Sequence, residues 1–169
     1  APGEVHERRD VGRLDEAAEV YERILTISTS LGAHYENEGA YLYARTIRAR
    51  ARVRRKKKQV DKALEDLESA LAIGMNRAGS SSRWSLFLAG VLVSTALAKW
   101  DSGDLEAADA LMAHAETIYT TGPLSNRRSL NLEICQLYMN WAVVLRRKGR
   151  PDEALAAVNK AFDFAEVEV

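Results

Sequence analysis

The stretch "GRPDEALAAVNKAF", residues 149–162, decides the fold because three related stretches precede it. They read "GRLDEAAEVYERIL" at 12–25, "KQVDKALEDLESAL" at 58–71 and "GDLEAADALMAHAE" at 103–116, at intervals of 46, 45 and 46 residues. Self-similarity at a fixed period of this size is typical of stacked helical hairpins, in which each repeat packs on its neighbours. The stretches therefore predict one hairpin per repeat, with the quoted residues in its second helix.

The residue types within each stretch support this prediction. A turn residue comes first and an acidic residue follows, as at a helix start, where carboxylates interact favourably with the helix dipole. Next come an alanine, a larger apolar residue four positions on, and a small or apolar residue three further. This spacing puts all three on one narrow helix face, against which a second helix can pack closely. The predicted contact sets are Ala17/Tyr21/Ile24, Ala63/Leu67/Ala70, Ala108/Met112/Ala115 and Ala154/Val158/Ala161.

The repeats resemble the tetratricopeptide repeat family, whose pattern is W-x2-L-G-x2-Y, a turn, and A-x3-F-x2-A. The last repeat matches best, with Tyr138-x2-Trp141-Ala142-x2-Leu145, a turn at Gly149, and Ala154-x3-Val158-x2-Ala161. The second and third repeats depart from the pattern in their first helices, where Arg50, Arg54, Thr95 and Lys99 replace large residues. The period exceeds the family's usual ~34 residues, which implies lengthened helices, as in members similar to kinesin light chains.

The expected fold is therefore all-α, a right-handed solenoid of antiparallel helical hairpins with about three and a half hairpins. We expect a single domain over residues 1–169 that is a fragment of a longer chain, since little of the first hairpin precedes Gly12. The expected repeat units cover roughly 1–32, 33–76, 83–120 and 128–169.

Composition indicates a soluble protein of a reducing compartment, such as the cytoplasm or an organelle interior. Hydrophobic residues make up 47% and charged residues 28%, as in globular domains. The one cysteine, Cys135, has no partner for an internal disulfide. The most apolar run, residues 84–100, is short for a membrane span of ~20 residues and is interrupted by polar residues. We therefore expect it to form a buried helix.

The residues that could carry catalysis or bind a metal are scattered. His6, His34 and His114 lie in different repeats and form no pair at helical spacing for a metal ion. Cys135 falls in an apolar helical pattern, which favours a packing role over a nucleophilic one. The sequence therefore predicts no enzyme activity, no metal site and no cofactor.

A second feature is the strongly basic stretch "RTIRARARVRRKKK", residues 45–58, with nine Arg or Lys in fourteen positions. The chain as a whole has 24 basic and 24 acidic residues, so this charge is local. On a helix, Ala40, Ala44, Ile47 and Ala51 form the packed stripe. Four arginines form a row on the adjoining face beside Tyr41, whereas Arg50 and Arg54 fall on the other flank. The row consists of Arg45, Arg48, Arg52 and Arg55.

In tetratricopeptide domains the first helices line a concave groove, and the resemblance transfers this role to matching positions here. They are the arginine row with Tyr41 in the second repeat, Gly90, Val93, Leu97 and Trp100 in the third, and Gln136, Met139, Val143 and Arg146 in the fourth, with Asn140 beside them. The implied groove has a cationic end, an apolar middle and a polar end. It would bind an acidic, partly apolar segment of a partner protein.

Three alternatives stay open from the sequence. The arginine row could pair within its own fold with acids such as Asp66 or Glu68, or simply be solvated. The basic helix 45–58 could instead bind RNA or another phosphate-bearing ligand, although few aromatic residues accompany it. The apolar positions around Trp100 could be covered by a neighbouring helix, a protein partner or a second copy in a homodimer.

Overall fold

The computed structural model describes residues 2–32, 36–121, 124 and 128–165, with side chains described at 12–30, 37–121, 124 and 129–165. Within these residues every regular element is helical, which confirms the all-α class. The elements are α1 (Pro2–Gly32), α2 (Glu36–Lys56), α3 (Val60–Arg77), α4 (Ser82–Ser102), α5 (Leu105–Thr120), a short 3-10 helix (Arg128–Leu130), α6 (Asn131–Arg147) and α7 (Pro151–Ala165). In the described part of the chain, no helix is long and apolar enough to cross a membrane.

The chain divides into two compact units, Ala1–Ile73 and Gly74–Val169, with the boundary inside α3. In the first unit α1 packs along α2, and a short link leads from α2 into α3. In the second unit α4 packs on α5, α5 on α6, and α6 on α7. Helices that follow one another in sequence are therefore also neighbours in space in these pairs.

Three links between helices have the same backbone geometry. Each contains one residue in the left-handed region, and the next backbone N–H donates to a carbonyl five residues earlier, which ends the helix before it. The left-handed residues are Lys58 (φ 60°), Gly103 (φ 88°) and Gly149 (φ 75°). The three hydrogen bonds are Gln59 N to Arg54 O at 2.9 Å, Asp104 N to Lys99 O at 2.9 Å, and Arg150 N to Leu145 O at 3.0 Å. The turns predicted at the start of the last three recurring stretches are confirmed.

The first recurring stretch differs, and the prediction that a helix begins at Gly12 is wrong. Helix α1 runs without interruption from Pro2 to Gly32 and passes through Gly12. A glycine inside a helix costs about 1 kcal/mol relative to alanine, which neighbouring helix-forming residues can offset. No left-handed backbone conformation is present at this position, so the turn seen at Gly103 and Gly149 has no counterpart here.

Most residues of the predicted contact faces are buried in the core. In α3 and α5 all six residues of the predicted sets are fully buried, at 0% exposure. The packed stripe of α2 is also confirmed, since Ala44, Ile47 and Ala51 are at most 1% exposed, and Ala40 is half-buried. The set on α1 is half-buried throughout. On α7, Ala154 and Ala161 are buried and Val158 is half-buried.

Helix α4 is buried on nearly all sides, as the sequence predicted for the apolar run 84–100. Its polar residues are compatible with burial because their hydroxyls bond to the helix backbone. Ser94 Oγ donates to Gly90 O at 2.9 Å, and Thr95 Oγ1 donates to Val91 O at 2.9 Å. Buried polar groups satisfied in this way avoid the cost of an unmade hydrogen bond.

Candidate functional site

The cations of α2 fall into two groups, of which the first is neutralised inside the fold. The Arg50 guanidinium donates to Asp66 through Nε (3.1 Å) and Nη2 (2.6 Å), and to Glu22 through Nη1 (2.7 Å). Arg54 Nη1 lies 2.9 Å from Asp66 Oδ2. The hydrogen bond to Asp66 raises the pKa of Arg50 above its ordinary value, although burial acts in the opposite direction. Arg50 and Arg54 therefore hold α2 against α3.

The second group is the predicted arginine row on the adjoining face. Arg45 and Arg52 are exposed, and Arg48 and Arg55 are half-buried. The Arg45 guanidinium lies over the ring of Tyr41, 5.7 Å from its centroid. Asp66, one of the acids that could have paired with the row, instead binds the two arginines of the opposite flank.

Residues of α1 and α2 line an open groove of about 670 Å³ in the first unit. Three cations line it: Arg13 from α1, and Arg52 and Lys56 from α2. Among the residues that the structure describes, no hydrogen-bond or ion-pair partner accompanies these three cationic groups, and no carboxylate lines the groove. The remaining lining residues are Leu14, Ala17, Tyr21, Ala49 and Val53.

Sequence reasoning named only Arg52 among the cations of this groove. Lys56 lies in the last turn of α2, where a cation interacts favourably with the helix dipole, and Tyr21 belongs to a predicted contact set. Arg13 lies 39 positions before Arg52 and reaches the groove only because α1 and α2 pack along each other. A signal was present, since Arg13, Ala17 and Tyr21 share one helix face at a spacing of four residues.

In the second unit, the predicted apolar positions of α4 are half-buried: Val93, Leu97 and Trp100. The Arg147 guanidinium of α6 lies over the indole of Trp100, 5.3 Å from the ring centroid. Within the described residues, the buried Nε1 of Trp100 has no hydrogen-bond partner. This wall is therefore partly covered by α6, which contacts α4 directly.

The adjoining face of α6 carries large apolar side chains in contact with solvent. Leu132 is 75% exposed, Met139 50% and Val143 41%. Of the predicted polar positions, Gln136 and Arg146 are exposed and Asn140 is half-buried. Leu132, Gln136, Met139, Val143 and Arg146 follow one another at three or four residues, so they form one row along the helix. We call these five residues the α6 row. Sequence reasoning did not place Leu132 in it.

Two half-buried carboxylates organise the contact of α5 with α6 and α7. Asp109 accepts hydrogen bonds from Trp141 Nε1 (2.6 Å), Lys148 Nζ (2.6 Å) and Arg150 Nη1 (2.7 Å). Burial by itself raises the pKa of Asp109, but the hydrogen bonds from Lys148 and Trp141 outweigh it and the net pKa is lowered. These groups are saturated by one another, which indicates a structural role.

Glu116 lies seven residues after Asp109 on α5 and forms hydrogen bonds with α6 and α7. Its Oε1 accepts from Tyr138 Oη at 2.7 Å and from Lys160 Nζ at 2.9 Å. Burial by itself raises the pKa of Glu116. The hydrogen bonds from Lys160 and Tyr138 lower the pKa by more than burial raises it, so the net pKa lies below its ordinary value. Burial and the bond to Glu116 also raise the pKa of Tyr138.

In the described part of the chain no cluster of His, Cys, Asp and Glu could hold a metal ion.

Comparison with known proteins shows a similarity of fold. No family model matches the chain, and no curated protein matches it. The crystal structure of BtubC (BKLC) from P. vanneervenii is similar, with a TM-score of 0.71 over 92% of this chain at 22% identity. A similarity at this identity shows the fold alone. The chain spans 58% of the length of that protein.

Proposed function

We propose that this chain is a non-enzymatic protein-interaction domain, built as a right-handed solenoid of tetratricopeptide-like hairpins. An acidic segment of a partner protein binds the cationic face of the first unit. Apolar side chains of the partner bind the α6 row and the neighbouring residues of α4 in the second unit. The domain thus acts as an adaptor or regulatory module.

The observation that carries this proposal is the division of the cations on α2. Arg50 and Arg54 have carboxylate partners inside the fold, whereas Arg45 and Arg52 are exposed on the adjoining face. Like charges one helical turn apart repel by a few tenths of a kcal/mol, so the row weakens the isolated helix. Carboxylates of a bound partner offset that repulsion, and arginine forks suit them because they form two parallel hydrogen bonds.

The α6 row supports the apolar part of the proposal. Single exposed apolar residues are ordinary on protein surfaces, but Leu132, Met139 and Val143 are exposed on one face of the same helix. Met139 contributes an unbranched side chain that adapts to differently shaped partners. An amphipathic helix or extended peptide commonly binds such a face with apolar anchors at regular spacing.

The proposal is tested by selection from a displayed random-peptide library against the immobilised domain. We expect the selected peptides to combine Asp or Glu with Leu, Phe or Trp. Fluorescence anisotropy then compares their affinity for wild type and for Arg45→Glu/Arg52→Glu, with Arg23→Glu/Lys62→Glu as the matched control. Arg23 and Lys62 are also exposed, so both variants change the net charge equally.

We expect the first variant to lose about tenfold or more in affinity, the equivalent of one charge-assisted hydrogen bond, and the control to lose far less. Equal losses in the two variants would show that only net charge matters and would overturn the proposal. Labelled single-stranded RNA is measured in parallel. Tight RNA binding that weakens steeply with salt, together with no acidic peptide selected, would replace the proposal with nucleic-acid binding.

A further inference from the structure

We propose that the groove between α1 and α2 binds a phosphorylated side chain of the partner segment. This inference rests on the proposed function, because it specifies which group of the acidic segment the first unit binds. It makes phosphorylation of the partner a switch for the interaction. The arginine row alone does not distinguish a phosphate from a carboxylate. The inference depends on Arg13 of α1, which lines the same groove as Arg52 and Lys56 of α2.

The charge of the groove matches a phosphate better than a carboxylate. Arg13, Arg52 and Lys56 bring three positive charges to one concave surface without an acidic lining residue. A phosphomonoester carries a charge of about −1.5 to −2 and three acceptor oxygens, whereas a carboxylate carries one charge and two oxygens. Two guanidinium groups and an ammonium can each donate to a different phosphate oxygen.

Two acidic residues next to the groove lining are bound by cations that do not line the groove. Asp15 is the next residue after Leu14 of the lining, but Lys57 forms an ion pair with its carboxylate. Glu22, one position after Tyr21, is bound to Arg50. The carboxylates of Asp15 and Glu22 therefore do not neutralise the lining cations. The three lining cations are left to face solvent together, an arrangement that favours an external anion.

The apolar lining accommodates the stem that carries the phosphate. A groove of about 670 Å³ lies within the ~300–1,000 Å³ of ordinary ligand sites and exceeds what a phosphate alone needs. The small side chains of Ala17 and Ala49 leave this space open, and Leu14, Val53 and the ring of Tyr21 provide apolar surface. An aromatic stem, as in phosphotyrosine, uses both the cations and this surface.

The first experiment uses small probes on the whole chain, followed by heteronuclear NMR. Phenyl phosphate combines an aromatic stem with a phosphomonoester, benzoate keeps the stem with a single charge, and inorganic phosphate has no stem. We expect phenyl phosphate to bind about tenfold more tightly than either of the others and to shift resonances of α1 and α2. Equal affinities for all three probes would overturn the inference.

Variants then locate the binding. Arg52→Gln/Lys56→Gln removes two lining cations, and Ala49→Leu keeps all the charges but fills the groove. Arg23→Gln/Lys62→Gln removes two exposed cations outside it and serves as the control. We expect the first two variants to weaken phenyl phosphate binding by about tenfold and the control to leave it within about twofold. Circular dichroism spectra establish that each variant is folded. The Ala49→Leu variant tests the groove without changing its charge.

The last step separates this inference from the proposed function. Each acidic position of a selected peptide is replaced in turn by tyrosine or phosphotyrosine, and affinities are compared. At one position or more, phosphotyrosine should bind more tightly than the original acidic residue, and Arg52→Gln/Lys56→Gln should abolish the gain. Acidic peptides that bind without such a gain would overturn the inference alone. If phenyl phosphate binds but no peptide does, the claim that the phosphate belongs to a partner protein is wrong, and so is the proposed function.

Discussion

Arg50 and Asp66 form a two-point ion pair between α2 and α3, with Nε to Oδ2 at 3.1 Å and Nη2 to Oδ1 at 2.6 Å. Asp66 is 5% exposed and also lies 2.9 Å from Arg54, so one buried carboxylate serves two guanidinium groups. A buried charge is tolerated only when it is paired and hydrogen-bonded. This carboxylate therefore gives Arg50 and Arg54 a structural role in the contact of α2 with α3.

Asp66→Asn tests that role. The substitution leaves the half-buried Arg50 and Arg54 without their shared negative charge, although Glu22 still contacts Arg50. We expect the free energy of unfolding to fall by about 3 kcal/mol, as when one partner of a buried pair is removed. Urea denaturation followed by circular dichroism measures the loss. Glu68→Gln, an exposed carboxylate on the same helix, is the control and should stay within about 0.5 kcal/mol of wild type.

Two tryptophans provide a matched pair for measuring the contribution of the hydrogen bond from Trp141 to Asp109. Trp141 Nε1 donates to Asp109 at 2.6 Å, whereas the buried Nε1 of Trp100 has no acceptor among the described residues. Both Trp→Phe substitutions remove the same atoms. We expect Trp141→Phe to reduce the free energy of unfolding by about 1–2 kcal/mol more than Trp100→Phe, because only the former loses a charge-assisted bond. Equal losses in urea titrations would mean that the Asp109 contact contributes nothing.

Much of the fold follows from the sequence because its causes are local. Alanines such as Ala63 and Ala108 permit close helix contacts wherever their helices pack, and their spacing is visible in the sequence. The left-handed positions Gly103 and Gly149 likewise end a helix for a local reason. Gly12 shows the limit of this reasoning. It occupies the same place in its recurring stretch as Gly103 and Gly149 do in theirs, but it lies inside a continuous helix. Propensity is a weak prior when the flanking residues favour helix.

The candidate site was less predictable because it depends on contacts between distant residues. The exposed arginines of α2 could be placed on one face from helical geometry alone. That Arg50 and Arg54 pair with a carboxylate inside the fold depends on the position of Asp66 on α3. The groove required Arg13, which α1 brings to Arg52 across 39 positions of sequence. No periodic pattern within one helix contains that information.

Acid should weaken the second unit through Asp109 and Glu116. Their folded pKa values lie below the ordinary values of 3.8 and 4.5. A lowered carboxyl pKa contributes stability that is present above the unfolded pKa and is lost as the pH falls through the folded pKa. Asp109→Asn/Glu116→Gln should therefore be less stable than wild type near neutral pH.

The stability difference should shrink below pH 4.5 as the wild-type carboxylates become protonated. Thermal melts across an acid pH series measure it. Asp61→Asn/Glu65→Gln, which changes two exposed carboxylates of α3, is the control. A difference between wild type and Asp109→Asn/Glu116→Gln that stays constant with pH would show that the cost comes from packing rather than ionisation.

Gly12 and Gly149 should respond oppositely to alanine. A Cβ at Gly12 meets no atom within 4 Å and the backbone there is helical, so Gly12→Ala should stabilise the protein by about 1 kcal/mol. Gly149 has φ 75°, which L residues adopt at a cost, so Gly149→Ala should destabilise by about 1 kcal/mol. Urea denaturation measures both. Destabilisation by Gly12→Ala would indicate a helix break at this position after all.

The α6 row should affect binding without affecting stability. Met139 and Val143 are 50% and 41% exposed, so Met139→Glu/Val143→Glu places charges where solvent already reaches. The new carboxylates remove apolar contact area and repel the acidic partner segment. We expect peptides from the selection described above to bind about tenfold or more weakly. The control is Leu155→Glu/Phe162→Glu on α7, where the side chains are 62% and 60% exposed. A comparable loss of peptide affinity in the control would place the apolar contact elsewhere, because both variants add the same charge at exposed apolar positions.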